Sequence, residues 1–257
     1  MSKDIFSIKN KSIVIVGGNG NIGRAYIEHI KNLGCKIFVI DNFIFKSDIN
    51  YEFYKCDVSS PTQVKKTFHK IYKRSGKIDV LINLFHYKGG HKLNAKSSFF
   101  KKFEDYPFSE WNKAINTNLS GLFLVCQQAI KYMRKDGSII NFSSTYGLVS
   151  PDFRIYSAKD VISPISYATS KSGIIGFTKY LSIYLASKKI RVNSISPGGI
   201  ANENHNNKFI KKYSYRTPLG RLCQPEEIVG VLIYLSTSAS SYVTGSNIVV
   251  DGGWTSW

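Results

Sequence analysis

A tyrosine and a lysine four residues apart are positioned to carry out proton transfer. Tyr167 and Lys171 lie in the segment Ser-Tyr-Ala-Thr-Ser-Lys-Ser-Gly at 166–173, and two residues at this spacing share one face of a helix. An ammonium group beside a phenol stabilises the phenolate. The lysine is therefore expected to lower the pKa of the tyrosine toward the working pH, where proton transfer is most efficient. A chance pair on a helix surface has the same spacing, so other parts of the chain must support this interpretation.

A glycine-rich turn between a strand and a helix indicates a bound dinucleotide. Residues 12–16 form a β-branched run typical of a buried parallel strand. Glycines in the turn that follows match Gly-x-Gly-x-x-Gly, a pattern that allows a tight turn and brings the backbone close to a pyrophosphate. The cofactor contacts predicted here are Gly17, Gly18, Gly20, Asn21, Ile22 and Gly23.

An acidic residue after the second predicted strand favours NAD over NADP. Asp41 ends the strand at 36–40, about twenty residues beyond Gly23, where a carboxylate binds the ribose 2′-hydroxyl and repels a 2′-phosphate. Asn42 follows it, so no basic residue adjoins Asp41. Arg24 is the one cation near the glycines that would argue for NADP. We therefore predict NAD, with contacts from Asp41 and Asn42.

The elements that must position these residues alternate along the chain. Strand-like segments lie at 12–16, 36–40, 51–55, 78–83, 137–142, 190–195 and 246–250, and helical stretches at 61–75, 108–134, 165–187 and 225–237. This alternation predicts a single-domain α/β fold over residues 1–257, a Rossmann-type doubly wound parallel sheet. Turn-forming residues follow the strands, which is where such sheets bind ligands. Substrate loops are predicted at 84–107, 145–164 and 198–216.

Composition excludes several other classes of protein. The chain has 257 residues, 43% of them hydrophobic, which is ordinary for a globular domain. Its net charge of +18 comes from dispersed lysine pairs rather than one basic run, so we predict no nucleic-acid partner. No apolar run is long enough to span a membrane, and the N-terminus lacks a hydrophobic signal region, so a cytoplasmic location is expected. The four cysteines lack Cys-x-x-Cys spacing, so no metal site is expected.

Ordered motifs over nearly the whole chain resemble the short-chain dehydrogenase/reductase family. Besides the glycine turn and the Tyr167/Lys171 pair, they include Asp-Val-Leu-Ile-Asn at 79–83, Ile-Asn-Thr-Asn at 115–118, Gly-Ser-Ile-Ile-Asn-Phe-Ser-Ser at 137–144 and Arg-Val-Asn-Ser-Ile-Ser-Pro-Gly-Gly-Ile at 191–200. The resemblance implies that Tyr167 is the general acid/base and that Lys171 also holds the nicotinamide ribose. It further implies that Ser144 orients the substrate oxygen and that Asn118 supports a proton relay through water.

The same resemblance implies further cofactor contacts and an assembly. Asp57 and Val58 correspond to adenine contacts, and Asn83 to a turn beside the cofactor. The segment with Pro197, Gly198 and Ile200 corresponds to residues near the nicotinamide, and Ile200 to a backbone contact with the carboxamide. The resemblance also implies a homotetramer, with a dimer as the second choice, because the long helices that carry Asn118 and Tyr167 pair between subunits in this family.

Two departures from the family pattern bear on the substrate. Where the family has Asn-Asn-Ala-Gly, this chain has Asn-Leu-Phe-His at 83–86, which places His86 toward the nicotinamide or a substrate. The segment between Ser144 and Tyr167 is long, and its Arg154 is a candidate ligand for a phosphate or carboxylate. This segment and the C-terminal Val-Asp-Gly-Gly-Trp at 250–254 resemble a subgroup found with bacterial surface-glycan and flagellin-modification genes, which implies a sugar or sugar-nucleotide substrate.

The predicted function is an NAD(P)-dependent oxidoreductase that interconverts a secondary alcohol and a carbonyl of a small molecule. Ser144 would bind the developing oxyanion while Tyr167 moves the proton. Two alternatives stay open: a 3-oxoacyl-carrier-protein reductase, against whose usual NADPH preference Asp41 argues, and a non-catalytic dinucleotide-sensing protein. A binding protein would not need the whole set of catalytic residues, which favours the enzyme.

Overall fold

The structure, a computed structural model, describes residues 4–44, 51–89, 97–156, 162–203 and 205–257. Within these ranges seven strands form one sheet in the order β3-β2-β1-β4-β5-β6-β7, and every neighbouring pair is parallel. The strands are β1 Ser12–Val16, β2 Lys36–Asp41, β3 Glu52–Lys55, β4 Ile78–Asn83, β5 Met133–Phe142, β6 Arg191–Pro197 and β7 Asn247–Val250. The predicted doubly wound parallel sheet is confirmed.

Helices cover both faces of the sheet. They are α1 Asn21–Ile30, α2 Pro61–Ser75, α3 Phe108–Ile115, α4 Gly121–Ala129, α5 Ile165–Tyr184, α6 Asn207–Arg216 and α7 Val229–Ser236. Side chains along β1 alternate between two buried clusters, with Val14 and Val16 facing α2, α4 and α5, and Ile13 and Ile15 facing α1 and α7. Because both faces are covered, the central strands are apolar throughout, as expected for parallel sheets.

The helix predicted at 108–134 is interrupted and ends earlier than expected. Residues Asn116–Ser120 form a π-helical turn between α3 and α4, in which the N–H of Gly121 donates to the carbonyl of Asn116. Helix α4 ends at Ala129, and Met133 already pairs with Ile78 as the first residue of β5. Pairing with β4 therefore overrides the helical pattern of residues 130–134, since a long-range sheet contact outweighs local propensity.

Helix α6 lies inside the segment 198–216 that was predicted to be a substrate loop. Asn206 caps it, accepting a hydrogen bond from the N–H of Phe209 (2.8 Å). Residues 90–96, 157–161 and 204, which belong to the predicted substrate loops, lie outside the described residues. Among the residues that are described, no helix has both the length and the apolar character needed to cross a membrane.

Candidate active site

The predicted site residues gather at the carboxyl ends of adjacent strands. Gly17 follows β1, Asp41 ends β2, Asn83 ends β4 and Ser144 follows β5 closely. The chain order reverses between β1 and β4, because β2 and β3 extend the sheet on one side of β1 and β4 to β7 extend it on the other. Such a reversal opens a crevice at the strand ends, the usual ligand site of an open α/β sheet.

Helix α5 presents Tyr167 and Lys171 together, as predicted from their spacing. The Nζ of Lys171 lies 5.6 Å from the centre of the Tyr167 ring. Lys171 is 2% exposed, and its Nζ donates a 2.7 Å hydrogen bond to the carbonyl of Phe142 at the end of β5. This bond fixes the ammonium group between the phenol and the strand.

Burial shifts the pKa of both residues, and in the tyrosine the shift is opposite to the predicted direction. Burial lowers the pKa of Lys171 to about 7, because an ammonium group loses its hydration there. Burial also raises the pKa of Tyr167 above its ordinary value, although a hydrogen bond with Ser144 works in the opposite sense. The sequence predicted that Lys171 would lower the pKa of Tyr167. In this arrangement desolvation of the phenolate is the larger effect.

Ser144 and Asn118 are both buried beside this pair. Ser144 is hydrogen-bonded to the phenol of Tyr167, and its Oγ accepts a 3.1 Å bond from the N–H of Tyr146. Asn118 lies in the π-helical turn; its Oδ1 accepts from the N–H of Tyr87 (2.7 Å), and its Nδ2 donates to Ser170 Oγ (2.9 Å). Isolated π-turns are frequent at functional sites. Asn118 thus ties the segment after β4 to the helix that carries Tyr167.

The glycine turn after β1 leaves a cradle that side chains would fill. Gly17 has a φ of 79°, and a Cβ added there would lie 2.6 Å from the backbone nitrogen of Phe85. At Gly20, which precedes α1, an added Cβ would come no closer than 3.5 Å to any described atom. At Gly23 an added Cβ would clash with the backbone of Gly18, so Gly17 and Gly23 are both required for chain packing, whereas Gly20 borders open space at a helix N-terminus. That space and the backbone around it suit a pyrophosphate.

Asp41 joins the glycine turn to the segment after β2. Its Oδ2 accepts from the N–H of Asn19 (3.1 Å) and its Oδ1 from the N–H of Asn42 (2.8 Å). Burial raises the pKa of Asp41, and these backbone N–H groups act in the opposite sense. The carboxylate is therefore held at the carboxyl end of β2, beside the glycine turn. Arg24, the residue that would argue for NADP, donates from Nη2 to Asn21 Oδ1 (2.9 Å).

Other predicted cofactor residues take different positions around the crevice. Asp57 accepts hydrogen bonds from the N–H and hydroxyl of Ser59 (2.9 and 2.7 Å), and Val58 packs against Gly121. The Asn83 side chain points into the interior, where its Nδ2 donates to Asn141 Oδ1 (2.9 Å). Any cofactor contact of Asn83 must come from its backbone, because the amide links β4 to β5.

The segment after β6 runs alongside the same crevice. The N–H of Gly198, which follows Pro197, donates to the carbonyl of Val250 in β7 (2.9 Å). Ile200 forms an isolated parallel bridge with Cys223. The bridge fixes the backbone position of Ile200 beside the segment at Cys223.

His86 lies directly against Tyr167. Their ring centres are 5.8 Å apart in an edge-to-face arrangement. Burial, with the nearby charges of Lys171 and Lys88, lowers the pKa of His86 to about 3. The imidazole is therefore neutral at physiological pH. The structure brings this predicted residue to the centre of the site.

Arg154 lies away from the site, contrary to the predicted substrate contact. Its side chain is 85% exposed, and Nε and Nη2 each donate a 2.8 Å hydrogen bond to the Asp152 carboxylate. The charge of Arg154 is thus neutralised by a residue two positions earlier in the chain. We remove it from the set of candidate substrate ligands.

Three tyrosines surround the substrate side of the crevice, and the sequence interpretation did not single out two of them, Tyr146 and Tyr213. Tyr146, Tyr156 and Tyr213 each lie close enough to Tyr167 for the charges of the phenolates to interact. Tyr213 accepts a 2.5 Å hydrogen bond at its hydroxyl from the N–H of Gly199. The position of Tyr146, two residues after Ser144, was a signal that could have identified it. Tyr213 lies on α6, and only the fold brings it here.

A cavity of about 730 Å³ borders the loop after β5. Apolar side chains line most of it, including Leu148, Phe153 and Ile165, and Lys101 and Lys102 also line it. Tyr146 contributes to its wall, but none of the four predicted catalytic residues does. The described part of the loop thus shapes a space adjacent to the catalytic centre. No group of three or more metal-ligating side chains occurs in the described part of the chain.

A family model and several known proteins match most of this chain. The family model described as enoyl-(acyl carrier protein) reductase matches residues 19–255. A 3-oxoacyl-(acyl-carrier-protein) reductase of Thermotoga maritima is 35% identical, over 78% of this chain and 75% of its own. The sorbose reductase of Candida albicans is 31% identical (98% and 89% covered), and the post-translational flagellin modification protein A of Campylobacter coli 30% (96% and 99%).

A solved structure supports both the fold and a nicotinamide dinucleotide cofactor. The short-chain dehydrogenase of Leptospira borgpetersenii, solved with bound NAD+, is 34% identical to this chain. It superimposes with a TM-score of 0.86, and the match covers 99% of this chain and 97% of that one. The likeness therefore extends over the whole sheet and its covering helices.

Proposed function

The chain belongs to the short-chain dehydrogenase/reductase family, and we propose that its buried polar residues around α5 catalyse the reaction on a sugar or sugar nucleotide. These residues are Asn118, Ser144, Tyr167 and Lys171. The chain is an NAD(P)-dependent oxidoreductase that interconverts an alcohol and a carbonyl. The observation that carries the proposed residue assignment is the phenol of Tyr167, bonded to Ser144 and adjacent to the buried ammonium group of Lys171.

In the proposed mechanism the nicotinamide cofactor supplies the hydride acceptor or donor. In the direction of oxidation, Tyr167 as phenolate takes the proton of the substrate hydroxyl. Ser144 donates a hydrogen bond to the oxygen on which charge develops, which orients the substrate and stabilises that charge. In reduction the same two residues act in reverse, and the Tyr167 phenol donates its proton to the forming alkoxide.

Lys171 links proton transfer to pH. With a pKa of about 7, a substantial share of this side chain is an ammonium group at neutral pH. In that form it stabilises the Tyr167 phenolate, which burial alone disfavours. Asn118 holds α5 against the segment after β4 through Ser170 and Tyr87, so it fixes the position from which Tyr167 acts. We retain its proposed part in a water-linked relay to Lys171.

NAD is the proposed cofactor. The position of the Asp41 carboxylate beside the glycine turn supports it, since a second negative charge on the ribose would be repelled there. The Leptospira relative solved with NAD+ is consistent with this choice. The proposed cofactor contacts are the glycine turn, Asp41, and the backbone around Asn83 and Ile200.

The substrate proposal rests on the hydroxyl groups of the candidate site and on the functions that the names of two relatives state. The hydroxyls of Tyr146 and Tyr156 lie together on the substrate side of the crevice, near Tyr167, which suits a molecule with several hydroxyl groups. Among the relatives, the sorbose reductase supports a carbohydrate substrate, and the flagellin modification protein A belongs with the subgroup that the sequence motifs resemble. The alternative is a 3-oxoacyl-(acyl-carrier-protein) reductase, which the 35% identity to the Thermotoga enzyme favours.

We further propose a homotetramer, with a dimer as the second choice. Helices α4 and α5 carry large apolar side chains that the described residues leave exposed, among them Phe123, Tyr180, Ile183 and Tyr184. Burying such a face against a second copy removes it from water, and monomeric proteins rarely expose large patches of this kind. The cavity beside the loop after β5 adjoins the first turns of α5, at the opposite end of the helix from Ile183.

The experiment that tests the proposal is a dehydrogenase screen with a matched pair of variants. Substrates are sorbose, sorbitol, UDP-glucose and a 3-oxoacyl thioester, each with NAD(H) and NADP(H). Tyr167→Phe should lower kcat by roughly 100-fold or more while NAD still binds, because only the proton donor is lost. The control, Tyr242→Phe, changes a fully exposed phenol outside the candidate site and should keep wild-type activity. Retention of most activity by Tyr167→Phe would refute the assignment, and turnover of the thioester alone would select the alternative.

A further inference from the structure

Two tyrosine hydroxyls form a pair at the substrate side of the candidate active site. The phenol oxygens of Tyr146 and Tyr156 are 3.2 Å apart. Tyr146 follows Ser144 by two residues, and its backbone N–H donates to the Ser144 hydroxyl. Both phenols are close enough to that of Tyr167 for their charges to interact. The pair therefore lies next to the place where the reacting carbon must be.

The rings of this pair are held in place by a small aromatic cluster. Tyr146 and Tyr156 pack at the edge of a buried group that includes Tyr213 and Trp254, whose rings are stacked 4.3 Å apart. Tyr156 also packs against Phe209 of α6, with ring centres 6.0 Å apart. Because the rings are fixed, their hydroxyl groups lose little conformational freedom when they bind a ligand.

Helix α6 fastens the backbone of the same segment. The Nζ of Lys212 donates to the carbonyls of Arg154 (3.0 Å) and Tyr156 (3.4 Å). Nearby, Arg216 pairs with Asp152 at 3.6 Å. These contacts position Tyr156 without using its hydroxyl, so the hydroxyl is not required to hold the loop.

One of the two O–H donors in the pair has no acceptor among the described residues. Each phenol has one O–H donor and can also accept. One O–H is used within the pair, and no further partner of either hydroxyl occurs among the described residues. The remaining O–H and the free lone pairs can therefore bind a ligand hydroxyl, which both donates and accepts. Burial raises the pKa of both phenols, so they remain protonated and neutral.

We propose that the Tyr146–Tyr156 hydroxyl pair binds a second hydroxyl group of the substrate, next to the carbon that is oxidised or reduced. The pair would thereby select a polyhydroxylated substrate over one with an isolated alcohol or ketone. A site built to bind a hydroxyl discriminates strongly against analogues that lack it, because its polar groups are then left unpaired. The inference rests on the proposed function and assigns the residues that recognise the hydroxyl groups of the sugar.

The test compares two ketones in single tyrosine-to-phenylalanine variants. Sorbose carries hydroxyls beside its carbonyl, and cyclohexanone does not. Tyr146→Phe and Tyr156→Phe should each lower kcat/KM for sorbose by about tenfold, the expected cost of one lost hydrogen bond of this kind. The double variant should lose less than the product of the two factors, because the hydroxyls act as one unit. Activity toward cyclohexanone and NAD affinity should stay within about twofold of wild type.

Matched controls separate this role from a structural one. Tyr215, on α6, is 91% exposed, and Tyr215→Phe should leave kcat/KM for both ketones unchanged. An equal loss on sorbose and cyclohexanone, together with a lower melting temperature, would mean that the pair only supports the loop and would overturn the inference. Unchanged kcat/KM for sorbose in both single variants would overturn this inference and leave the proposed function standing. If the wild type reduced the 3-oxoacyl thioester but turned over no polyhydroxylated compound, the proposed function and this inference would both fail.

Discussion

Replacing Lys171 by methionine should stabilise the protein near neutral pH, and the gain should diminish as the pH rises. Burial lowers the pKa of Lys171 from 10.5 to about 7. A shift of that size corresponds to a penalty of about 5 kcal/mol for holding the charged form in the folded state. Lys171→Met keeps a similar length and an unbranched side chain, and it removes the charge.

The sign of the pH dependence of stability follows from whether the folded or the unfolded state binds more protons. The folded-state pKa lies below the unfolded one, so between these values the unfolded chain holds more protons than the folded one. Stability of the wild type therefore rises with pH across the window from about 7 to 10.5. The penalty is fully present below this window and vanishes above it. Between about pH 7 and pH 9, the stability advantage of Lys171→Met should shrink by about 2 kcal/mol.

The assay is urea denaturation of both proteins at these two pH values, without added cofactor and at equal protein concentration. The variant also loses the hydrogen bond to the carbonyl of Phe142, which costs about 1–3 kcal/mol at either pH. The test is therefore how much the difference in free energy of unfolding between Lys171→Met and the wild type changes with pH. Lys179→Met, on the exposed face of the same helix, is the matched control and should leave stability close to wild type. A difference between Lys171→Met and wild type that stays constant with pH would refute the argument from burial.

Three further variants test the cofactor, the glycine turn and the assembly. Asp41→Ala should reduce the preference of kcat/KM for NAD over NADP by roughly tenfold or more, and a wild type that prefers NADP would contradict the reasoning. Gly17→Ala should lower the free energy of unfolding by roughly 2–4 kcal/mol, since its φ is 79° and the new Cβ would lie 2.6 Å from the Phe85 nitrogen. The control Gly230→Ala, in an open position on α7, should stabilise by about 0.5–1 kcal/mol. Ile183→Lys should shift the mass measured by light scattering toward the monomer, whereas a monomeric wild type at micromolar concentration would refute the proposed tetramer.

Much of the fold could be predicted because its signals are local. The β-branched run at 12–16, the glycines after it and the helical stretch from 61 to 75 all became the expected elements. Their residues specify the element through the side-chain periodicity of buried strands and helices and through the backbone freedom of glycine. Boundaries were less accurate where a long-range contact intervened, as at Met133, which pairs with Ile78 instead of continuing a helix.

Within the candidate site, the sequence alone determined which residue types could perform the chemistry. The spacing of Tyr167 and Lys171 places both on one face of α5, and the four-residue step of a helix is sufficient to predict this. Likewise Asp41 lies at the end of its strand, because the apolar run at 37–40 and the turn after it are local features of the sequence.

Only the tertiary structure decided the environment of these groups. It directed the Asn83 amide inward to Asn141, paired Arg154 with Asp152 at the surface, and brought Tyr156 to Tyr146. It also set the pKa of Lys171, since desolvation depends on how many segments pack around the ammonium group. Burial and partner choice arise from residues far apart in the chain, so they are fixed only when the sheet, α5 and α6 come together, whereas local periodicity is already fixed in the sequence.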